Sequence, residues 1–410
     1  MSEAVKEVRP RSSRMRVLAV LIRTNLDNEI GGSERSFVEL SNALVQEGVE
    51  VDTLEIGSSV ACSVTSRANH YVLNSSGNLP LRLFRYSFDA LRIARSRDCE
   101  VIFAPAVYWP QTIFVALLTS FVLRRPLFIG IPGPFKGEED KLTVPELLKQ
   151  RLEGRRALKT TTAAVLRRLA FRSANGLLFA TNHLAQDYGK KFSLKNAVVI
   201  GRGVNDFWFQ PDGSPATKEY DAVFVGRLDE GKGVDTLIRA WDLVGDSLPS
   251  ARLLVVGTGP RADEYKRIAG ENRLGHNIKF VGYVNDPLEV KEKVQSSRLL
   301  VLPSEDEGFA RVVSEAMACG VPCVISDIPG LRETYSGAAV FVPSKDSTAL
   351  AQAIISLLVD GTKLGQLSRT GMIHARKFSW SNSAALTYNA FAEACNRAPW
   401  ERVFELAVVT

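Results

Sequence analysis

Two basic residues in a short, glycine-containing loop have the type and spacing to bind a diphosphate. Residues Ala222–Val225 are typical of a buried strand, and a helical pattern begins near Val234. Arg227 and Lys232 lie between them, beside glycines that let a ligand approach the backbone closely. Ligands of open α/β sheets bind beyond the carboxyl ends of strands, where helix N-termini and cations favour phosphate oxygens. We therefore expect Arg227 and Lys232 at a diphosphate site, with solvated loop charges as the alternative.

Two carboxylates follow a second expected strand, Leu299–Leu302. Glu307 precedes Gly308, after which a helix is expected over Phe309–Ala318, with Glu315 on it. If the helix reaches both carboxylates, a rise of about 12 Å separates them, which is too far for a dyad that shares one proton. The spacing fits two tasks on one elongated ligand, with Glu307 beside a reacting sugar and Glu315 accepting hydrogen bonds from ribose hydroxyls. The alternative for Glu315 is a solvated helix face, which its apolar neighbours disfavour.

Residues that commonly bind metals are not clustered in the sequence. No D-x-D triplet occurs, the 4 histidines are scattered, and Cys319 and Cys323 have no histidine or second cysteine pair near them. The 5 cysteines form no paired framework, so reduced thiols are expected. We predict that the protein needs no metal and no other cofactor.

Strand-like and helix-like segments alternate along the chain, which predicts parallel sheets with crossover helices. The expected fold class is α/β, with two doubly wound Rossmann-like domains that face each other across a cleft. We assign residues 1–14 to a flexible tail, 15–206 to the first domain, 207–219 to a linker and 220–380 to the second domain. Ser33 is the expected cap of the first helix. The expected strands are Val17–Ile22, Glu50–Leu54, Val101–Ala104, Leu127–Gly130, Gly176–Ala180, Ala197–Ile200, Ala222–Val225, Arg252–Val256, Ile278–Val281, Leu299–Leu302, Cys323–Ile325 and Ala339–Val342.

The composition, with 410 residues of which 45% are hydrophobic and 23% charged, excludes collagen-like, mucin-like and wholly disordered chains. The longest apolar run, Ile113–Leu123, is shorter than the roughly 20 residues that span a bilayer, and no signal peptide is recognised. We therefore expect a cytoplasmic protein. Residues 1–205 carry 29 Lys and Arg against 19 Asp and Glu, whereas residues 206–410 carry 22 against 26. One half is basic and the other is mildly acidic.

Two segments of the basic half interleave basic with apolar residues. Leu81–Arg97 carries 5 arginines, and Lys149–Arg172 carries 8 basic residues against one acid. Basic amphipathic helices favour anionic membranes, so the first domain is predicted to dock peripherally on the inner face of the membrane. The alternative is a pair of ordinary amphipathic helices with solvated outer faces. Nucleic acid is not expected as a partner, because no aromatic stacking pattern or known motif accompanies the charge.

Several short motifs occur together in an order typical of one enzyme family. They are Gly31-Gly32-Ser33-Glu34-Arg35, Gly226-Arg227-Leu228, Lys232-Gly233, Pro303-Ser304, the E-x7-E pair Glu307 and Glu315, Gly320-Val321-Pro322 and Phe378-Ser379-Trp380. With these motifs the chain resembles a retaining glycosyltransferase of the GT-B fold, in family 4 (glycosyl transferases group 1). The resemblance covers most of Met15–Phe391 and is most specific over Val223–Val342.

The resemblance implies a role for each matching residue. Arg227 and Lys232 would hold the nucleotide diphosphate and offset its charge as it leaves, while Glu315 would bind the ribose. The family needs no divalent metal, and its C-terminal helices, about residues 381–397 here, cross back onto the first domain. Glu307 and the amides of Gly308, Phe309 and Ala310 would hold the donor sugar, Gly32 would let its loop approach the diphosphate, and Gly282, Tyr283 and Val284 would flank the base.

Two positions depart from the family pattern. Many members place a histidine in the cleft after the fourth strand of the first domain, where this chain has Pro105-Ala106-Val107-Tyr108-Trp109. Tyr108 is the expected substitute on the acceptor side. Arg202 stands where the family usually has an asparagine, ahead of Gly203-Val204.

The implied activity is hexosyl transfer, with retention of configuration, from a nucleoside-diphosphate sugar to a hydroxyl acceptor that is lipid-linked or a glycan. Two alternatives stay open. A nucleotide-sugar 2-epimerase of the same fold would convert the donor alone. A catalytically silent, nucleotide-sugar-binding subunit of a transferase complex is favoured by the missing histidine and opposed by the intact Glu307, Glu315, Arg227 and Lys232.

Overall fold

The computed structural model describes residues 14–22, 32–56, 69–73, 78–105, 110–134, 155–194, 196–209, 218–271 and 275–396. Within these ranges the chain forms two parallel β-sheets, one of seven strands and one of six, with helices packed on them. The predicted α/β class with two Rossmann-like domains is confirmed. Residues 1–13 of the predicted tail lie outside the described residues.

The first sheet has the strand order β3-β2-β1-β4-β5-β6-β7, and every neighbouring pair is parallel. Its strands are β1 (Arg16–Ile22), β2 (Glu50–Ile56), β3 (Asn69–Leu73), β4 (Val101–Ala104), β5 (Leu127–Ile131), β6 (Gly176–Phe179) and β7 (Ala197–Val199). The helices of this half are α1 (Gly32–Gln46), α2 (Leu79–Ser96), α3 (Pro110–Leu123), α4 (Arg155–Ser173) and α5 (Asn182–Phe192).

The second sheet is also parallel, in the order β10-β9-β8-β11-β12-β13. Its strands are β8 (Tyr220–Val225), β9 (Leu253–Val256), β10 (Ile278–Gly282), β11 (Ser297–Leu302), β12 (Cys323–Ser326) and β13 (Val340–Val342). The helices that follow in the chain are α6 (Val234–Ser247), α7 (Ala262–Glu271), α8 (Pro287–Gln295), α9 (Arg311–Ala318), α10 (Pro329–Tyr335), α11 (Ser347–Val359), α12 (Gly361–Ala375) and α13 (Trp380–Ala394).

Alternate residues of strand β1 face two different helix layers. Leu18 and Val20 belong to the apolar cluster that includes α2, α3 and α4, whereas Val17, Ala19 and Leu21 belong to the cluster with α1 and α13. Since helices cover both faces, the strand is buried from Val17 to Leu21. This two-sided burial explains why the central strands are continuous apolar runs in the sequence and were predictable from it.

The last helix, α13, packs on α1 of the first half of the chain. Its Phe391 is fully buried and lies edge-on to Phe128 of β5, with ring centroids 4.6 Å apart. The start of the helix is fixed beside Gly203, where an added Cβ would overlap Trp380. The backbone N–H of Val204 donates to the carbonyl of Phe378 at 3.2 Å, so the two chain crossings between the halves run side by side.

Among the differences from the sequence-based prediction, three concern the first half of the chain and the segment that follows it. Strand β3, which the sequence analysis misses, lies at the sheet edge with Asn69, His70 and Val72 exposed, so it has no continuous apolar run. Helix α1 begins at Gly32, and Ser33 is therefore inside the helix instead of capping it. Residues Asp206–Phe209, which span the boundary between the assigned first domain and the assigned linker, form a 3₁₀ turn whose tryptophan is buried in the second core.

We predict that Gly203→Ala destabilises the protein, because its new methyl group would overlap the Trp380 backbone and ring. Overpacking of this kind costs about 1–3 kcal/mol, and each kcal/mol lowers the Tm of a domain of 150–250 residues by roughly 2–4 °C. Thermal unfolding followed by fluorescence measures the change. Gly270→Ala in α7 is the matched control, since no described atom lies within 4 Å of its new methyl group. Equal melting temperatures for the two variants would contradict the packing argument.

Candidate active site

The loop after β8 carries both predicted cations, and only one of them contacts a predicted carboxylate. Lys232 Nζ donates a hydrogen bond of 2.6 Å to Glu307 Oε1, which joins this loop to the loop after β11. The Arg227 side chain is 67% exposed, and its Nε lies 3.3 Å from an oxygen of Asp229. The site thus presents one fixed cation and one solvent-facing cation at the carboxyl end of β8.

Glu307 is held from two sides. Ser304 Oγ donates to the same Oε1 oxygen at 3.0 Å, and the Glu307 side chain is only 14% exposed. Burial acts to lower the pKa of Lys232, but the attraction of Glu307, the hydrogen bond to it and the nearby Asp229 and Asp306 together raise that pKa above its ordinary value. The ammonium group therefore stays protonated throughout the neutral pH range, ready to face an anion.

The two loops approach each other backbone to backbone, and a glycine makes this approach feasible. Gly233 has φ = 67°, and an added Cβ would overlap the carbonyl oxygen of Pro303. The N–H of Glu305 donates to the carbonyl of Gly231 at 2.8 Å. Because β8 and β11 are neighbours in the sheet, their following loops meet here, which brings Lys232 to Glu307 across 75 positions of sequence.

The segment Glu307–Ala310, which we name the donor loop, precedes helix α9. The predicted helix over Phe309–Ala318 was wrong at its start: α9 begins at Arg311, and Ala310 has the left-handed φ of 50°. The hydroxyl of Tyr335 lies 2.7 Å from the Phe309 carbonyl and 3.0 Å from the Ala310 carbonyl, to which it donates. Burial raises the pKa of Tyr335 well above its ordinary value, so this donor stays protonated.

This correction changes the relation between the two predicted carboxylates. Glu307 lies in the donor loop and Glu315 in the helix, so the separation expected from a continuous helix does not apply. Glu315 accepts a hydrogen bond of 2.7 Å from Arg311 Nη2, and its side chain is 12% exposed. The partner that the sequence argument required for this charge is Arg311. Its i,i+4 spacing was the signal that could have revealed it.

The start of α1 lies opposite these groups. Arg311 Nη1 lies 3.5 Å from the carbonyl of Gly32, and Arg35 Nη2 donates at 2.8 Å to the carbonyl of Asn285. No atom of the described residues lies within 4 Å of a Cβ added at Gly32, so the space beside it is open within that part of the chain. Among the predicted base-flanking residues, Gly282 has φ = 77°, Tyr283 is half-buried and Val284 is buried. Tyr108 lies outside the described residues.

A second contact between the halves of the chain was not foreseen. Glu333 of α10 accepts hydrogen bonds from the backbone N–H groups of Asn182 at 2.8 Å and His183 at 2.6 Å. Beside it, a Cβ added at Gly308 would lie 3.2 Å from the Cα of Gly133. The donor loop is therefore close to the first half of the chain.

The chemistry that this arrangement supports is anion binding beside a carboxylate. Parallel sheets bind ligands where the strand order reverses, and the second sheet reverses between β8 and β11, the two strands followed by these loops. Lys232 and Arg227 supply positive charge there, next to the N-terminus of α6. Within the described ranges, no group of three or more His, Cys, Asp or Glu side chains is arranged to hold a metal ion.

Two sequence families match adjoining parts of the chain. Residues 30–206 match Glycosyltransferase Family 4, and residues 206–372 match Glycosyl transferases group 1. A D-inositol 3-phosphate glycosyltransferase of Corynebacterium aurimucosum is 31% identical over 179 residues, which cover 42% of this chain and 42% of the relative. The matched part is thus less than half the length of that relative.

Solved structures show the same fold over nearly the whole chain. Sucrose-phosphate synthase from Thermosynechococcus elongatus superposes with a TM-score of 0.72 at 21% identity, covering 93% of this chain and 99% of that one. Anabaena Alr3699/HepE, solved in complex with UDP and glucose, also has a TM-score of 0.72, at 17% identity, with 92% of this chain and 100% of that one covered. The chain therefore belongs to the family 4 glycosyltransferases and has the GT-B fold.

Proposed function

We propose that this protein is a retaining glycosyltransferase that moves a sugar from a nucleoside-diphosphate sugar to a hydroxyl acceptor. The observation that carries the proposal is the Lys232–Glu307 ion pair of 2.6 Å, set at the switch point of the second sheet. The pair presents a fixed cation and a fixed carboxylate side by side. A donor substrate needs both kinds of contact, because its diphosphate is anionic and its sugar carries hydroxyl donors.

In this proposal the cations act mainly on the leaving group. Breaking the bond from the sugar to the diphosphate leaves negative charge on the phosphate oxygens. Lys232 would stabilise that charge from a position that is fixed before the reaction. Arg227 would contribute once its exposed side chain turns inward. Glu307 and the amides of Gly308, Phe309 and Ala310 would hold the sugar hydroxyls.

The nucleoside would lie along α9 and the loop after β10. Glu315 has the oxygens to accept hydrogen bonds from ribose hydroxyls, and Arg311 orients it from one side. The buried Val284 and half-buried Tyr283 would flank the base. Because Anabaena Alr3699/HepE was solved with UDP and glucose, UDP-glucose is the first donor to test.

We predict that Lys232→Ala lowers turnover by roughly 10²–10³, the scale seen when one preorganised donor to developing charge is removed. Arg227→Ala is also expected to lower turnover. Initial rates with a nucleotide-sugar panel and mixed hydroxyl acceptors measure the effect. Lys266→Ala is the matched control, since Lys266 is an exposed lysine of the same half, paired with Asp263 in α7.

The same assay separates the alternatives. Near wild-type turnover of Lys232→Ala would show that the diphosphate lies elsewhere. An epimerised donor formed without acceptor would indicate an epimerase, and binding without turnover of any donor would indicate a silent subunit. The product's NMR spectrum gives the configuration at the anomeric carbon. A configuration opposite to that of the donor would contradict retention.

We also propose that catalysis needs no metal or other cofactor, as the absence of a D-x-D triplet suggests. Activity is then expected to survive excess EDTA with no more than a minor change, since Lys232 and Arg227 would offset the diphosphate charge. The measurement is the initial rate with and without chelator. Loss of activity that Mg²⁺ or Mn²⁺ restores would overturn this part of the proposal.

The acceptor side is proposed to include an anionic membrane surface on the inner leaflet, which would give access to a lipid-linked acceptor. Helix α2 supports this proposal, because two phenylalanines project from its outer face: Phe84 is 71% and Phe88 60% exposed. Arginines share that face with them at helical spacing. The exposed residues of the stripe are Leu81, Phe84, Arg85, Phe88, Arg92 and Arg95.

Neighbouring helices contribute unequally to this surface. Helix α3 packs between α2 and α4, and its Phe121 is 80% exposed. In α4, Arg172 and Leu169 are exposed but Arg167 is buried, so one of the eight basic residues counted in the sequence does not face outward. In the part of the chain that the structure describes, no helix has both the length and the apolar character of a membrane span.

We predict that the protein co-sediments with anionic phosphatidylglycerol vesicles at low salt and is released as salt rises, because each basic residue near the surface contributes about 1 kcal/mol. The double variant Phe84→Ser, Phe88→Ser should bind the vesicles at least about tenfold more weakly, since both rings lose their apolar contact with the membrane. Ile373→Ser is the control, because Ile373 is an exposed apolar residue of α12. Equal binding to neutral vesicles would contradict the docking proposal.

A further inference from the structure

Helix α10 is fixed to the donor loop at both of its ends. Near its start, a Cβ added at Gly330 would overlap the carbonyl oxygen of Glu307. At its end, the Tyr335 hydroxyl donates to the carbonyls of Phe309 and Ala310. The helix and the donor loop are therefore in contact at two points, so a shift of one is expected to displace the other.

Between these two attachments, Glu333 contacts the first half of the chain. Its carboxylate accepts hydrogen bonds from the Asn182 N–H at 2.8 Å, the Asn182 Nδ2 at 3.2 Å and the His183 N–H at 2.6 Å. All three donors lie at the N-terminus of α5. A helix N-terminus leaves four N–H groups without intrahelical partners and favours negative charge, so a carboxylate is well suited to this position.

Glu333 completes a cap that α5 does not provide for itself. The side chain of Thr181 accepts from the Leu184 N–H at 3.3 Å, and its carbonyl accepts from the Ala185 N–H at 3.2 Å. The remaining two N–H groups of the first turn, those of Asn182 and His183, donate to Glu333. Two N–H groups at the start of α5, in the first half of the chain, thus have their hydrogen-bond acceptor in the second half.

We propose that Glu333 is a positioning residue that couples closure of the cleft to the placement of the donor loop. When the start of α5 binds Glu333, α10 is drawn toward the first half and takes Glu307–Ala310 with it. Gly308 then lies against Gly133, Pro134 and Leu184, as in this structure. Glu333 contacts no substrate in this scheme. The inference rests on the proposed function, because it assigns the donor loop to the sugar.

Two other contacts between the halves, among the described residues, do not have this property. Arg35 and Arg311 reach across through long side chains to the carbonyls of Asn285 and Gly32. Neither is tied to both ends of the donor loop. The Glu333 contact instead joins a carboxylate on a short helix to backbone N–H groups of fixed geometry. It would therefore set the position of the donor loop as well as stabilise the contact between the halves.

The test compares wild type, Glu333→Gln and Glu333→Ala in two measurements. Small-angle scattering with and without UDP reports closure, and steady-state kinetics with the best donor reports kcat and KM. Glu333→Ala should scatter as a more open particle in the presence of UDP. Its kcat should fall roughly tenfold to hundredfold, the scale of a misplacement near 1 Å, with KM for the donor changed far less. Glu333→Gln, which keeps an acceptor oxygen, should fall between the two.

Glu271→Ala, at an exposed carboxylate of α7, is the control and should match wild type in both measurements. Wild-type scattering and kcat for Glu333→Ala would overturn the proposal, as would an open particle with unchanged kcat. A fall in kcat together with a large loss of Tm would point to a merely structural role and also overturn it. If wild type transfers no sugar from any donor, the proposed function fails, while the scattering comparison still decides whether Glu333 controls closure.

Discussion

The ion pair between Lys232 and Glu307 is the interaction on which the candidate site depends. Each side chain is mostly withdrawn from water, at 25% and 14% exposure, so either charge alone would be poorly solvated. Removing one partner of such a pair costs more than the pair gains, because the other charge is left behind. The pair is therefore expected to persist without a ligand, and it fixes one cation at the carboxyl end of β8.

Parallel topology is what makes this ion pair feasible. The order β10-β9-β8-β11-β12-β13 places β8 beside β11 although three helices and two strands separate them in sequence. The first sheet has the same kind of reversal, between β1 and β4, and α1 begins with Gly32 after β1. Each sheet thus presents its switch point to the cleft, and Arg311 connects the two through its contact with the carbonyl of Gly32.

The sequence predicts the parts of the molecule that depend on local pattern. Because the central strands are buried on both faces, they are continuous apolar runs in the sequence. Lys232 and Glu307 lie in loops that follow such strands, which predicts that both are near the cleft. Strand β3 is not predicted because its edge position leaves Asn69, His70 and Val72 exposed, so it has no continuous apolar run. The start of α9 is not predicted for another reason. Alanine favours helices, but Ala310 has a left-handed φ here, and the hydroxyl that donates to the carbonyls of Phe309 and Ala310 belongs to the distant Tyr335.

Glu333 was even less accessible to sequence reasoning, since its partners lie about 150 positions earlier in the chain. Nothing local distinguishes it from a solvated glutamate on a short helix. Contacts of this kind depend on how the two halves meet, and helical or strand periodicity carries no information about that. The candidate residues for the proposed chemistry thus carry a local signal in the sequence, whereas Glu333, which would position them, does not.

Charge distribution indicates how such a site would attract its ligand. The half that carries Lys232 and Arg227 is mildly acidic, with 22 basic against 26 acidic residues over 206–410. Its overall field therefore does not attract a diphosphate, and at physiological ionic strength charges beyond about 8 Å are largely screened. In the proposed function, attraction would come mainly from Lys232 and Arg227 near the switch point. The basic half, with 29 basic against 19 acidic residues over 1–205, would add a smaller contribution. Binding of an anionic donor and closure of the cleft would then favour each other, because the anion would lie between Lys232 and the basic half of the chain. Helix α10 contacts both the donor loop and, through Glu333, the basic half. In the proposal it would therefore couple donor binding to closure through direct contacts as well as through charge.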